Sequence, residues 1–142
     1  MGKRLSRSEA RQEAFKLIFG INQHTDDLEF LFNNLLEENP KAAEAMPYIR
    51  EAVEGVLKHY DELSGIISQN LAAGWRLERI SKPSRAILML AIYEIRYIED
   101  VPERVAVNEA VELAKLFDEP QAASFVNGVL AGVLKNESVS RD

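Results

Sequence analysis

The chain has 142 residues, about the size of one ordinary domain, and its 46% apolar content is enough for a real core. Cysteine is absent, which removes disulfides, thiolate catalysis and cysteine-based metal sites together. The net charge of −6 argues against a general affinity for nucleic acid. Yet Lys3, Arg4, Arg7, Arg11 and Lys16 oppose only Glu9 and Glu13 near the N-terminus, a local +3 that leaves −9 for the rest.

The first helix is expected over roughly Ser8 to Asn22, with Ala14, Phe15, Ile18 and Phe19 on one apolar face and Leu17 and Ile21 extending it. Arg4, Arg7 and Arg11 step by three and four and would share a face if the helix reaches back that far. "NQHTDD" breaks the pattern, and Thr25 or Asp26 is the expected cap of a second helix through Phe30, Leu31, Leu35 and Leu36. "EENPKAAEAMP" reads as a loop or a short turn of helix. A helix from about Tyr48 to Tyr60 follows, burying Ile49, Val53, Val56 and Leu57. Another restarts at Asp61, runs through Leu63, Ile66, Ile67 and Leu71, and ends near Gly74.

Ser81 is the expected cap of the next helix, with Pro83 in its first turn, where a missing N–H costs little. From Ala86 to Ile98 the segment is apolar almost all round, which marks a helix buried on most sides; it is too short to span a membrane. "EDVPERVAV" reads as a connector, with Asn108 the expected N-cap and Glu109 and Glu112 in the first turn of a helix to Phe117. "DEP" is expected to start the last helix, with Asp118 or Glu119 near its cap and Pro120 at its start.

"FVNGVLAGVL" reads two ways, because Asn127-Gly128 is also a hairpin-turn signal. With no partner strand nearby, helix is the better reading. Each interior glycine then costs roughly 1 kcal/mol against alanine. Gly128 and Gly132, four apart, therefore suggest a close approach by another helix, with the apolar Ala86–Ile98 helix the expected neighbour. The fold expected is all-α: one compact domain over 1–142, about six to seven helices around a buried central one. A flexible basic arm is expected over 1–7 and a flexible tail over 136–142.

No catalytic constellation stands out. His24 and His59 are the only histidines and have no metal-ligand spacing; no phosphate loop or nucleophile elbow is present. Glu94, inside the apolar helix, reads as a structural ion-pair partner before it reads as a tuned acid. No enzyme activity and no cofactor are expected. Arg76, Arg79, Lys82 and Arg85 surround Trp75, interrupted by Glu78. They form either a phosphate-binding edge or partners for the acidic helices. Phe19 and Phe125 read first as core rings; at the surface they would suit stacking of single-stranded RNA bases, with Lys and Arg on the backbone. No segment is apolar and long enough to cross a membrane, and the N-terminus lacks the apolar core of a signal peptide, so a cytoplasmic location is expected.

Four blocks, "ARQEAFKLIF", "WRLERISKPSRAILMLAIYEI", "VPERVAVNEAVELAKLF" and "FVNGVL", occur in order over nearly the whole chain and resemble the bacterial transcription antitermination factor NusB family. The resemblance implies two helical subbundles and no enzyme activity. It implies binding of boxA, a short single-stranded RNA element of ribosomal RNA operon leaders, together with the small-subunit ribosomal protein NusE. It further implies an antitermination complex on RNA polymerase with NusA and NusG, promoting ribosomal RNA synthesis.

The family's arginine-rich segment maps onto Arg7 and Arg11, with Lys3 and Arg4 just upstream. Ser8 and Glu9 stand where more arginine is common. Phe19 stands where tyrosine is frequent, and Phe125 maps to an RNA-facing aromatic, one turn after Gln121. Ser84 and Arg85 map near the junction of the RNA and protein-partner surfaces. Pro83, Ser84 and Met89 depart from the usual residues there. Asn127 reads as structural. Two other readings stand beside this one: a helical protein-interaction module or homodimer whose acidic body is the working surface, and an RNA-modifying enzyme, disfavoured because no cofactor-binding segment is evident.

Overall fold

Helix α1, Arg7–Gly20, begins at a capping box: the Ser6 hydroxyl accepts from the Glu9 N–H at 3.1 Å, and the Glu9 carboxylate accepts from the Ser6 N–H at 2.9 Å. Glu9 is thus a helix-start residue as well as a negative charge on the arm. The computed structural model describes residues 4–22 and 25–141, with side chains described as far as 137. Lys3 and His24 lie outside the described residues. Of the segment expected as an arm, Arg4, Leu5 and Ser6 precede the helix and Arg7 opens it.

Every regular element among the described residues is a helix, with no strand, as the sequence leads one to expect. The chain divides into two compact units, Met1–Lys58 and His59–Asp142. In the first, α2 (Leu28–Glu38) is capped by Asp27, which accepts from the Glu29 and Phe30 N–H groups. The expected caps Thr25 and Asp26 are displaced because Asp26 instead accepts from the Asn22 N–H at 2.8 Å. A 3-10 segment, Pro40–Ala45, leads into α3 (Met46–Lys58). Helices α1 and α3 pack together, burying Ala10, Ala14, Phe15, Ile49, Ala52, Val53 and Val56. Arg50 of α3 makes a two-pronged ion pair with Glu29 of α2 while lying over the Phe32 ring, 4.6 Å from its centroid.

The second unit holds α4 (Tyr60–Gln69), a 3-10 turn at Leu77–Arg79, α5 (Lys82–Tyr97), α6 (Glu103–Phe117) and α7 (Ala122–Arg141). Helix α5 is packed by α4, α6 and α7. It buries every residue from Ala86 to Ile95, Glu94 included at 1% exposure. Full burial of each Ile or Leu in that run is worth about 1.5–3 kcal/mol. Ser81 caps α5 through the Ser84 N–H at 3.2 Å, with Pro83 in the first turn as expected.

Three boundaries differ from expectation. Helix α6 starts at Glu103, after Pro102, so Asn108 is an interior residue and not the N-cap. The apolar spacing of Ala106, Ala110, Leu113 and Ala114, all buried, carries the helix back through "ERVAV". Helix α4 ends at Gln69, short of Gly74. Asp118 terminates α6 as its C-cap and does not cap α7. Where a tail is expected from Asn136, the backbone continues as α7 to Arg141; Asp142 lies outside the described residues.

The "FVNGVL" block is helical, settling its hairpin ambiguity. Of the two glycines in the longer "FVNGVLAGVL" stretch, only Gly132 has a close neighbour, and the atoms nearest it belong to Asn70 and not to α5. A Cβ at Gly132 would come within 2.7 Å of Asn70 Oδ1, beside the end of α4, whereas one at Gly128 would meet nothing within 4 Å.

Candidate nucleic-acid interface

The basic patch of the first unit is built around one ring. The capping box fixes where α1 starts, so Arg7 and Arg11 fall one turn apart and both face Tyr48 of α3. The Arg7 guanidinium sits 4.4 Å from the Tyr48 centroid and that of Arg11 sits 5.8 Å from it. Their exposures differ. Arg7 is at the surface, while Arg11 is 2% exposed, held inside and not presented to a ligand. Arg4 is exposed and bridges to Glu44 at 3.1 Å. Arg4, Arg7 and Tyr48 line an open cleft of about 350 Å³. The Ser6 N–H and hydroxyl, with Lys41 nearby, hold the Glu9 carboxyl below the ordinary carboxylate range. Phe19 is 46% exposed and stacked on Phe15 at 5.8 Å between centroids.

The second unit carries a groove of about 300 Å³ whose walls include Trp75, Arg79, Ser81, Ser84, Asp118, Glu119, Gln121 and Phe125. Asp118 is its polar anchor. Its Oδ2 accepts from the Ser81 hydroxyl at 2.5 Å and the Ser84 hydroxyl at 2.6 Å, and its Oδ1 from the Glu119 N–H at 2.7 Å. Burial pushes the Asp118 carboxyl up. The Ser81 and Ser84 hydroxyls and the Glu119 and Ser84 N–H groups outweigh burial and hold it below the usual range.

Ser84 is 2% exposed and committed to this anchor; it ties the start of α5 to the end of α6 and does not face outward. Arg85 donates to the Leu77 carbonyl at 2.8 Å, bracing the 3-10 turn against α5. Gln121 is exposed on the groove wall, and Phe125, half-buried, has its ring 6.1 Å from that of Trp75.

Of the nine residues singled out from the sequence, Arg4 and Arg7 come together in the first unit and Gln121 and Phe125 in the second. Phe19 is exposed farther along α1. Arg11 and Ser84 are inside, Arg85 is engaged with backbone, and Lys3 is outside the described residues. Two rings that the sequence does not single out stand beside these residues, Tyr48 against Arg7 and Trp75 on the groove wall. Tyr48 offered no signal beyond opening the expected helix. Trp75 did offer one: it is the sole tryptophan and sits among basic residues.

The NusB family model matches residues 8–135. A transcription antitermination protein NusB of Levilactobacillus brevis is 43% identical over 136 residues, covering 94% of this chain and 96% of its own. Its counterpart from Acetivibrio thermocellus is 42% identical over 142 residues, covering 100% of this chain and 94% of its own. A solved structure of the antitermination factors NusB and NusE in complex with double-stranded RNA superimposes with a TM-score of 0.79 at 26% identity, covering 92% of this chain and 96% of that one.

Proposed function

The chain belongs to the NusB family of transcription antitermination proteins, and from that premise we propose that it binds boxA-type single-stranded RNA of ribosomal RNA leaders together with NusE. In this reading the pair joins NusA and NusG on RNA polymerase and promotes transcription of ribosomal RNA operons. The observation that carries the RNA part is Phe125 with Gln121 on an open groove whose Arg79 wall makes no ion pair among the described residues. Rings and amide groups suit splayed bases, and single strands are read by stacking and base-edge hydrogen bonds. Arg4 and Arg7 supply phosphate attraction from the first unit. Arg11 and Ser84 act as positioning residues, Arg11 by packing beneath Tyr48 and Ser84 by fixing Asp118.

The test is fluorescence anisotropy with a labelled boxA-type RNA and a scrambled control, with and without NusE, at two salt concentrations. The expected result is sequence-dependent binding, tightened by NusE and weakened by salt. Equal binding of both RNAs in every condition would reject the reading and favour a protein-interaction module; gel filtration of the same sample would show whether that module is a homodimer.

A further inference from the structure

Trp75 is the sole tryptophan of the chain, and 53% of its surface is exposed. A large ring so exposed gains little from the core, and its ring neighbour is Phe125. The two rings form a wall shared by two open grooves: the one anchored by Asp118, and one of about 490 Å³ running past Asn70, Ser124 and Gly128. The backbone is shaped to place this ring. Helix α4 has ended, Gly74 turns the chain at φ +88°, and the Trp75 N–H donates to the Ala72 carbonyl at 3.0 Å.

The charges around the ring are asymmetric. Arg76, Arg79 and Lys82 are exposed and make no ion pair among the described residues. Asp118 and Glu119 line the same groove as Arg79. A phosphate would be repelled by those carboxylates and drawn to the arginine. An uncharged base faces no such repulsion.

We propose that Trp75 is a nucleobase-stacking residue: one base of a single-stranded RNA lies on its ring beside Phe125, with the adjoining phosphates held by Arg76 and Arg79. The assignment rests on the RNA-binding reading above and adds to it the residue that takes the base and the cations that hold the adjoining phosphates. Base–aromatic stacking tolerates every base, so Trp75 supplies affinity, and selectivity comes from groups such as Gln121.

The sole tryptophan makes the test direct. Intrinsic emission and the anisotropy of a labelled RNA are followed in one titration of the full chain. The expected result is quenching that saturates at the same RNA concentration as the anisotropy, with protection of Trp75 from acrylamide. Trp75→Ala should weaken binding roughly 5- to 150-fold, and Trp75→Phe should restore most of the loss. Circular dichroism of both variants should match the wild type, because the ring is largely exposed. Rising anisotropy with unchanged emission and unchanged Trp75→Ala affinity would overturn the stacking role while leaving RNA binding intact. Emission that changes with NusE alone, and not with RNA, would overturn it in favour of a protein contact. No anisotropy change in any condition would remove both this assignment and the reading it rests on.

Discussion

Arg7 and Arg11 both reach the ring of Tyr48, the first from the surface and the second from the interior. Substitution should separate them. Arg7→Ala should leave the melting temperature nearly unchanged and reduce the salt slope of RNA binding by about 0.7, the increment for one phosphate on a single strand. Arg11→Ala should instead lower stability by on the order of 1–3 kcal/mol, because it vacates a packed site. Thermal melts beside salt-dependent anisotropy decide the matter; a salt-slope change without destabilisation in Arg11→Ala would contradict its burial. Ser84→Ala belongs to the same scale. It removes a buried donor from a carboxylate and should cost about 1.5–3 kcal/mol at neutral pH. Asp118 has its folded pKa held below the unfolded one, so its stabilisation is present above the ordinary carboxylate range and is lost as pH falls through the depressed value. The gap between wild type and Ser84→Ala, measured by denaturant unfolding, should therefore narrow in strong acid.

Helix α7 shows what pattern can and cannot reveal. Val126, Val129, Leu130 and Val133 are buried at helical spacing, so the element was legible. The reason for Gly132 was not, since it lies in a side chain from another element. Asn70 Nδ2 donates to the Ile66 carbonyl at 2.8 Å, and its Oδ1 accepts from Asn136 at 2.9 Å while lying over Gly132. Gly128→Ala meets open space and should stabilise by about 0.5–1 kcal/mol through helix propensity and a less flexible unfolded chain. Gly132→Ala should lose that gain to the Asn70 clash, and Asn70→Ala should bring part of it back. A double-mutant cycle by thermal unfolding measures the coupling, and strict additivity would rule out the contact as the cause. The start of α6 differs from its sequence signal for a related reason. Asn108 followed by two acids has the chemistry of a cap, but the apolar stripe from Ala106 had already set the helix further back.

At the scale of the whole molecule, a net charge of −6 limits what simple electrostatics can do for binding. In the proposed RNA complex, phosphate attraction would rest on local cations such as Arg4, Arg7, Arg76 and Arg79, and the rest of the affinity on bases stacked on rings. An abasic strand of the same length should therefore bind much more weakly than the intact RNA, by about tenfold for each stacked base removed. Equal affinity in a competition assay would mean the rings contribute nothing. The helical class was legible from apolar periodicity, and the buried α5 from a segment apolar almost all round. The candidate site was only half legible. Sequence identifies a cation or a ring, but it does not say which arginine is packed beneath Tyr48 or which serine is turned toward Asp118, since both depend on chain segments far away in sequence.

The Asn70–Gly132 contact has a consequence for the history of the protein as well as for its stability. Two positions sixty-two residues apart share one small volume: a side chain added at 132 has to displace the amide oxygen at 70, which accepts from Asn136. Substitution at the two positions should therefore be correlated across descendants of a common ancestor. Lineages that acquire alanine at 132 should more often be those that lack the asparagine at 70.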